Sequence, residues 1–192
     1  MFNQALRLFQ GKRADFLVKW GISVMAICLL APISIQLSGS VDLTLQTLII
    51  LFVACVWGFG LGLLSTLTYI VLGTLGLPVF SGYSSGFEVV FGPHGGFFFG
   101  FLVAASVVGY FAERLVPKAF IKLLLLWIAG HLIILILGFF WLQSIAPSDK
   151  SLIENVLEFS SGVMIKSALG ILLLQIMDRI ILRIQGSPNP SS

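Results

Sequence analysis

The chain has 192 residues, of which 58% are hydrophobic and 10% charged, with a formal net charge of +3. Ordinary globular chains carry roughly 25% charged residues. So few charges cannot clothe a water-facing surface, which excludes a soluble enzyme, a disordered chain and a nucleic-acid binder. Cys28 and Cys55 both lie in apolar runs, with neither a disulfide framework nor metal-ligand spacing.

The charges bracket long neutral stretches: residues 20–41, 43–87, 89–112 and 123–148 hold none. A bilayer-spanning helix needs about 20 mostly apolar residues. The first, third and fourth stretches hold one span each. The second holds two, with a turn at Trp57-Gly58-Phe59-Gly60-Leu61-Gly62. A sixth span runs from about Phe159, with Lys166 inside it. Helices are therefore predicted over 16–37, 43–58, 61–78, 94–113, 121–143 and 159–183. The first apolar run exceeds the roughly 7–15 residues of a signal-peptide core and lacks a clear cleavage site, so it is read as a retained span.

Orientation follows from Lys and Arg. Arg7, Lys12, Arg13 and Lys19 precede the first span; Arg114, Lys118 and Lys122 join the fourth to the fifth; Arg179 and Arg183 end the sixth. Six spans put all of these on one side, leaving out only Lys150 and Lys166. The positive-inside rule makes that side the cytoplasm and places both termini there. The expected architecture is all-α and polytopic: one six-helix membrane domain over 1–185 and a polar, Pro-containing tail over 186–192. Gly92, Gly96, Gly100 and Ala104 recur every fourth residue, as do Ala105 and Gly109. Such a stripe lets helix backbones approach closely, and it is read as internal packing before a partner interface.

The external segment 76–96 is apolar yet crowded with Gly and Pro. Irregular backbone at membrane depth must be covered by protein or line a cavity. This loop is therefore either a lid over a small-molecule pocket or a plain loop packed on the helix ends. Within it, Gly76-Leu77-Pro78-Val79-Phe80-Ser81-Gly82, then Gly86, then Gly92-Pro93-His94-Gly95-Gly96-Phe97, resembles the hallmark loop of the BioY family. Pro32-Ile33-Ser34-Ile35-Gln36-Leu37 with Val41-Asp42-Leu43-Thr44-Leu45-Gln46-Thr47 is similar to that family's first external loop. Ser161-Gly162-Val163-Met164-Ile165-Lys166-Ser167-Ala168-Leu169 resembles the motif opening its last helix.

The resemblance implies a six-helix biotin-binding S component of an energy-coupling-factor vitamin transporter. Such a subunit sits in the bacterial cytoplasmic membrane and works with a transmembrane coupling subunit and two ATPases. The sequence departs from the family at three places. Val163 stands where the family has Asp, Asp42 where it usually has Pro, and His94 where it usually has Thr. An acid at 163 would share a helix face with Lys166, accept ligand N–H groups and neutralise the lysine; valine does neither.

Lys166 lies about 10 Å inside the outer end of its helix at 1.5 Å per residue. An intramembrane charge is a functional suspect, and its alternative is snorkelling to the interface. With the resemblance, Lys166 is read as the cationic anchor for a ligand carboxylate. His94 is a candidate donor to a ligand carbonyl or a plain interfacial histidine. Tyr83 and Phe80 either stack on a flat ligand or seal the loop, and Ser84 sits at the loop's tip. Thr44 and Gln46 begin a helix, where they satisfy backbone groups or touch ligand. His131, near mid-span, is read as a hydrogen-bonded packing residue.

No nucleophile–base pair points to an enzyme. No metal and no cofactor are expected, biotin being the ligand. Gly11-Lys12-Arg13 lacks the remainder of a phosphate loop, so work against a gradient is expected to come from the partner ATPases. The competing functions are an S component for another small vitamin, or a membrane assembly protein that has kept the fold.

Overall fold

The computed structural model describes residues 11–36, 42–115, 120–147 and 151–184. Helix α1 (Lys12–Leu30) is followed by a three-residue antiparallel pair, β1 (Ser34–Gln36) and β2 (Asp42–Thr44), in which Ser34 faces Thr44. The helices α2 (Leu45–Thr74), α3 (Phe87–Phe91), α4 (Gly95–Ala112), α5 (Phe120–Ile145), α6 (Leu152–Glu158) and α7 (Ser160–Ile184) complete it. Among the described residues, four helices are long and apolar enough to cross a bilayer: Leu45–Thr74, Gly95–Ala112, Phe120–Ile145 and Ser160–Ile181. The chain is a helical, multi-pass membrane protein.

One expectation is corrected. The first helix stops at Leu30 rather than 37. Ala31 still has helical backbone and donates to the Ile27 carbonyl, but Pro32 has no N–H with which to extend the ladder, and the chain turns into the short β pair instead. The two helices predicted over 43–58 and 61–78 are the two arms of α2, between which the helical backbone breaks sharply at Gly58 (φ 83°, ψ −170°). Only glycine reaches that conformation without steric cost. The two arms, 45–57 and 59–74, fold against each other so closely that a Cβ on Gly62 would stand 2.7 Å from the Ala54 Cα.

Helix α4 is wedged between α2 and α5. Its small-residue stripe is buried inside the protein, with Gly96, Gly100, Ala104, Ala105 and Gly109 all facing inward. A Cβ on Gly100 would meet Ile134 of α5 at 3.0 Å, and one on Gly109 would meet the Gly58–Phe59 backbone at 2.8 Å. From the far end of α4, the Glu113 carboxylate accepts the Phe59 N–H at 3.1 Å. A negative charge there suits the free N–H groups and positive dipole end of a starting helix.

Helix α1 lies along α2 and buries Lys19, Ser23 and Ile27. Lys19 pairs with Asp15 at 2.7 Å and places its ammonium 5.2 Å from the centre of the Trp57 ring. On the other side, α7 packs on α5 and α2. The ring of Trp127 fills the place a side chain at Gly170 would take. The short helix α6 was not anticipated. Its start carries a capping box, in which Ser151 Oγ accepts the Glu154 N–H at 3.2 Å and the Glu154 carboxylate accepts the Ser151 N–H at 2.7 Å.

The loop after α2 is anchored by Phe80. This side chain is 1% exposed and sits where a Cβ on Gly73 would overlap it. Its ring meets Tyr69 edge-on at 5.5 Å and Phe98 at 4.6 Å. Backbone bonds from Gly86 N to Gly73 O (2.8 Å) and from Gly82 N to Pro32 O (3.1 Å) tie the loop to α2 and to the end of α1.

Candidate functional site

A group of polar side chains comes together where α7 packs on α5 and α2. Thr47 lies in the first turn of α2, His131 near the middle of α5, and Val163 and Lys166 one turn apart on α7. Together with Phe159 and Leu135 they enclose a cavity of about 20 Å³. That is room for about one water molecule. A vitamin-sized ligand requires the surrounding side chains to move apart.

Lys166 is only 8% exposed, and its ammonium donates to Thr47 Oγ1 at 3.2 Å. Among the described residues no carboxylate forms an ion pair with it. A buried cation without an acid is costly, so the site favours any ligand that brings an anionic or strongly accepting oxygen. Val163, in the position one turn earlier, is 7% exposed and packs with Leu135 and Phe139. It gives the cavity an apolar wall.

His131 is 2% exposed. Its Nδ1 lies 3.0 Å from the carbonyl oxygen of Trp127 and 3.5 Å from Ser167 Oγ. Its other nitrogen, Nε2, is buried and has no hydrogen-bond partner among the described residues. Sequence reading assigned His131 to packing. What it missed is that α5 turns this residue toward α7, a tertiary fact that the spacing along one helix does not carry.

The remaining candidates separate into two groups. Gln46 and Phe80 are buried: the Gln46 amide donates to the Tyr69 hydroxyl at 2.8 Å, and that ring meets Phe80. Gln46 and Thr47 are neighbours on a helix, where successive side chains point about 100° apart, so one reaches Tyr69 and the other Lys166. Tyr83, Ser84 and His94 lie toward the surface. Tyr83 is 66% exposed with φ 60°, Ser84 Oγ donates to the Ser81 carbonyl at 2.9 Å, and His94 is exposed at the start of α4. Thr44 occupies the N-cap position of α2 without a side-chain capping bond. None of these six lines the Lys166 cavity.

A second, larger groove of about 580 Å³ opens between α2, α3, α4 and α5, with Phe91, Phe99, Phe140 and Trp141 among its walls. It presents almost no polar surface and shares no residue with the Lys166 cavity.

Fold and site together define a multi-pass helical membrane protein with a buried cation beside a small polar cavity. The chain belongs to the BioY family, whose pattern matches residues 6–183. It is 42% identical over 127 residues to a biotin transporter BioY of Thermotoga maritima, covering 66% of this chain and 73% of that one. To biotin transporter BioY2 of Lactococcus lactis subsp. cremoris it is 37% identical over 136 residues, 71% of this chain and 72% of the relative. The crystal structure of the S component for biotin from an ECF-type ABC transporter shares the fold, with a TM-score of 0.76 and 22% identity. The match covers 90% of this chain and 95% of that one.

Proposed function

We propose that this chain is a biotin-binding S component, capturing biotin at the bacterial cytoplasmic membrane and handing it to a transmembrane coupling subunit driven by ATPases. Family membership and the biotin transporters of Thermotoga maritima and Lactococcus lactis support the ligand. The observation that carries the site is Lys166, a buried cation at membrane depth beside a cavity with no described acid to neutralise it. In this reading Lys166 anchors the ligand carboxylate. The chain crosses the membrane six times, through α1, the two arms of α2, α4, α5 and α7, with both termini in the cytoplasm. The reversal at Gly58 and the grouping of Lys and Arg support that count.

Val163 supports a second reading, an S component for a different small vitamin, because it removes the acid that the family places beside the lysine. Binding of labelled biotin to the detergent-purified chain separates the two. The biotin reading expects saturable binding that Lys166→Ala weakens by roughly 10- to 1000-fold, in line with breaking a partly water-accessible buried pair. Biotin amide, lacking the carboxylate charge, is expected to lose much less between the two proteins. Biotin that fails to bind the folded wild type defeats the reading. Full affinity after Lys166→Ala leaves the lysine as a membrane anchor only.

A further inference from the structure

The cavity beside Lys166 has three polar side chains: Thr47, His131 and Lys166. Thr47 Oγ1 already receives the lysine ammonium. The hydrogen on His131 is fixed by its surroundings. The Trp127 carbonyl, 3.0 Å from Nδ1, only accepts, so Nδ1 carries the hydrogen and donates it. In the neutral ring Nε2 is then a bare lone pair. It is buried, lies on a ring that lines the cavity, and has no partner among the described residues. An unmet buried acceptor costs about 1–3 kcal/mol, so a ligand N–H placed there recovers that cost.

We infer that His131 Nε2 is a ligand-recognition atom, accepting an N–H from the ligand that Lys166 holds by an oxygen. This rests on the biotin reading and deepens it: the N–H belongs to the ureido ring, and because Lys166 and His131 line one small cavity, the valeryl chain folds back to bring the carboxylate near that ring. Val163, which lines the same cavity, leaves the N–H acceptor to come from elsewhere. Val163 turns methyl groups to the cavity where an acid would accept N–H groups. His131 supplies the acceptor from the facing helix α5 and adds no negative charge, so the Lys166 ammonium stays available to the ligand's oxygen. The site selects for a molecule that brings both an accepting oxygen and an N–H donor.

The test uses the full chain in detergent with labelled biotin and with biotin methylated on its ureido nitrogens. His131→Leu is expected to weaken biotin binding by roughly 10- to 100-fold, the loss of one buried hydrogen bond with its partner left unmet. His131→Gln, which keeps an accepting oxygen, loses less. The methylated compound binds wild type weakly and suffers no further loss from His131→Leu. A direct readout needs no cavity variant. The chain holds two histidines, so 15N-labelled histidine gives two ring patterns, assigned with His94→Gln. Adding biotin is expected to shift the His131 Nε2 resonance in the direction of an engaged acceptor. An unmoved resonance at saturating biotin, or unchanged biotin affinity in folded His131→Leu, overturns the inference and leaves the biotin reading standing. Absence of biotin binding to wild type overturns both.

Discussion

The two sides of α5 are built on opposite plans. Toward α4, helices meet through glycine: Gly96 lies under Trp141, Gly100 against Ile134, and Gly138 under Phe97. Toward α7, Trp127 covers Gly170 at one level, whereas at the level of Lys166 the contact is made by a separate small cluster of Leu135, Phe139 and Val163, with a cavity and three polar side chains beside it. Lipid gives little hydrophobic drive for helix association, so the glycine side gains its cohesion from close van der Waals contact. At the level of Lys166 the α7 side forgoes that closeness and keeps a small cavity. The glycine-packed side is read as the scaffold, and the Lys166 level as the part that must yield when a ligand enters.

Three substitutions bear on this contrast. The largest effect is expected from Gly109→Leu, on the stripe of α4 where the same glycine packing continues against α2. Its new side chain meets the Gly58–Phe59 backbone, which has nowhere to go. Overpacking of this kind costs about 3 kcal/mol, read as a clear fall in the thermal unfolding midpoint in detergent. An unchanged midpoint would mean that the arms of α2 yield freely, and the scaffold description would fail.

A middle-sized effect is expected from Val163→Asp on the α7 side. An acid one helical turn from Lys166 adds a charged acceptor for ligand N–H groups, and such bonds contribute about 1.5–3 kcal/mol. Desolvating the new carboxylate offsets part of this, leaving biotin binding about tenfold tighter. In that background His131→Leu is expected to matter less. Weaker binding in Val163→Asp would show that the apolar wall is itself part of ligand recognition.

The smallest effect is expected from Gly162→Ala, one residue before Val163. Nothing lies within 4 Å of the position its Cβ would take. Stability should stay within about 0.5 kcal/mol of wild type. A fall in unfolding midpoint rivalling that of Gly109→Leu would erase the difference between the two sides.

How much of this was legible in the sequence depends on the range of the interaction that decides it. The apolar stretches gave α4, α5 and α7 to within a few residues, because a span is a local property of about 20 residues. The break in α2 was visible in the Gly58-x-Gly60-x-Gly62 run, although its placement on Gly58 alone depends on Glu113 and Gly109 arriving from another helix. Helix α6 was missed despite a local signal, since Ser151-Leu152-Ile153-Glu154 has the spacing of a capping box. The cavity was half legible. Lys166 stood out as a charge inside an apolar run, whereas His131 and Thr47 acquire meaning only once α5 and the start of α2 meet α7. Phe80, expected either against a ligand or as a loop seal, is held by Tyr69, Gly73 and Phe98 from two other segments.

The seat of Phe80 also sets how the loop divides its time. Withdrawing a buried phenylalanine ring into water costs about 1.5–3 kcal/mol. On that ground alone the loop spends more than roughly nine-tenths of its time docked. The ring that holds the loop down is packed by Tyr69, Gly73 and Phe98, none of which lines the Lys166 cavity, so the loop's hold and the cavity's grip are separate quantities.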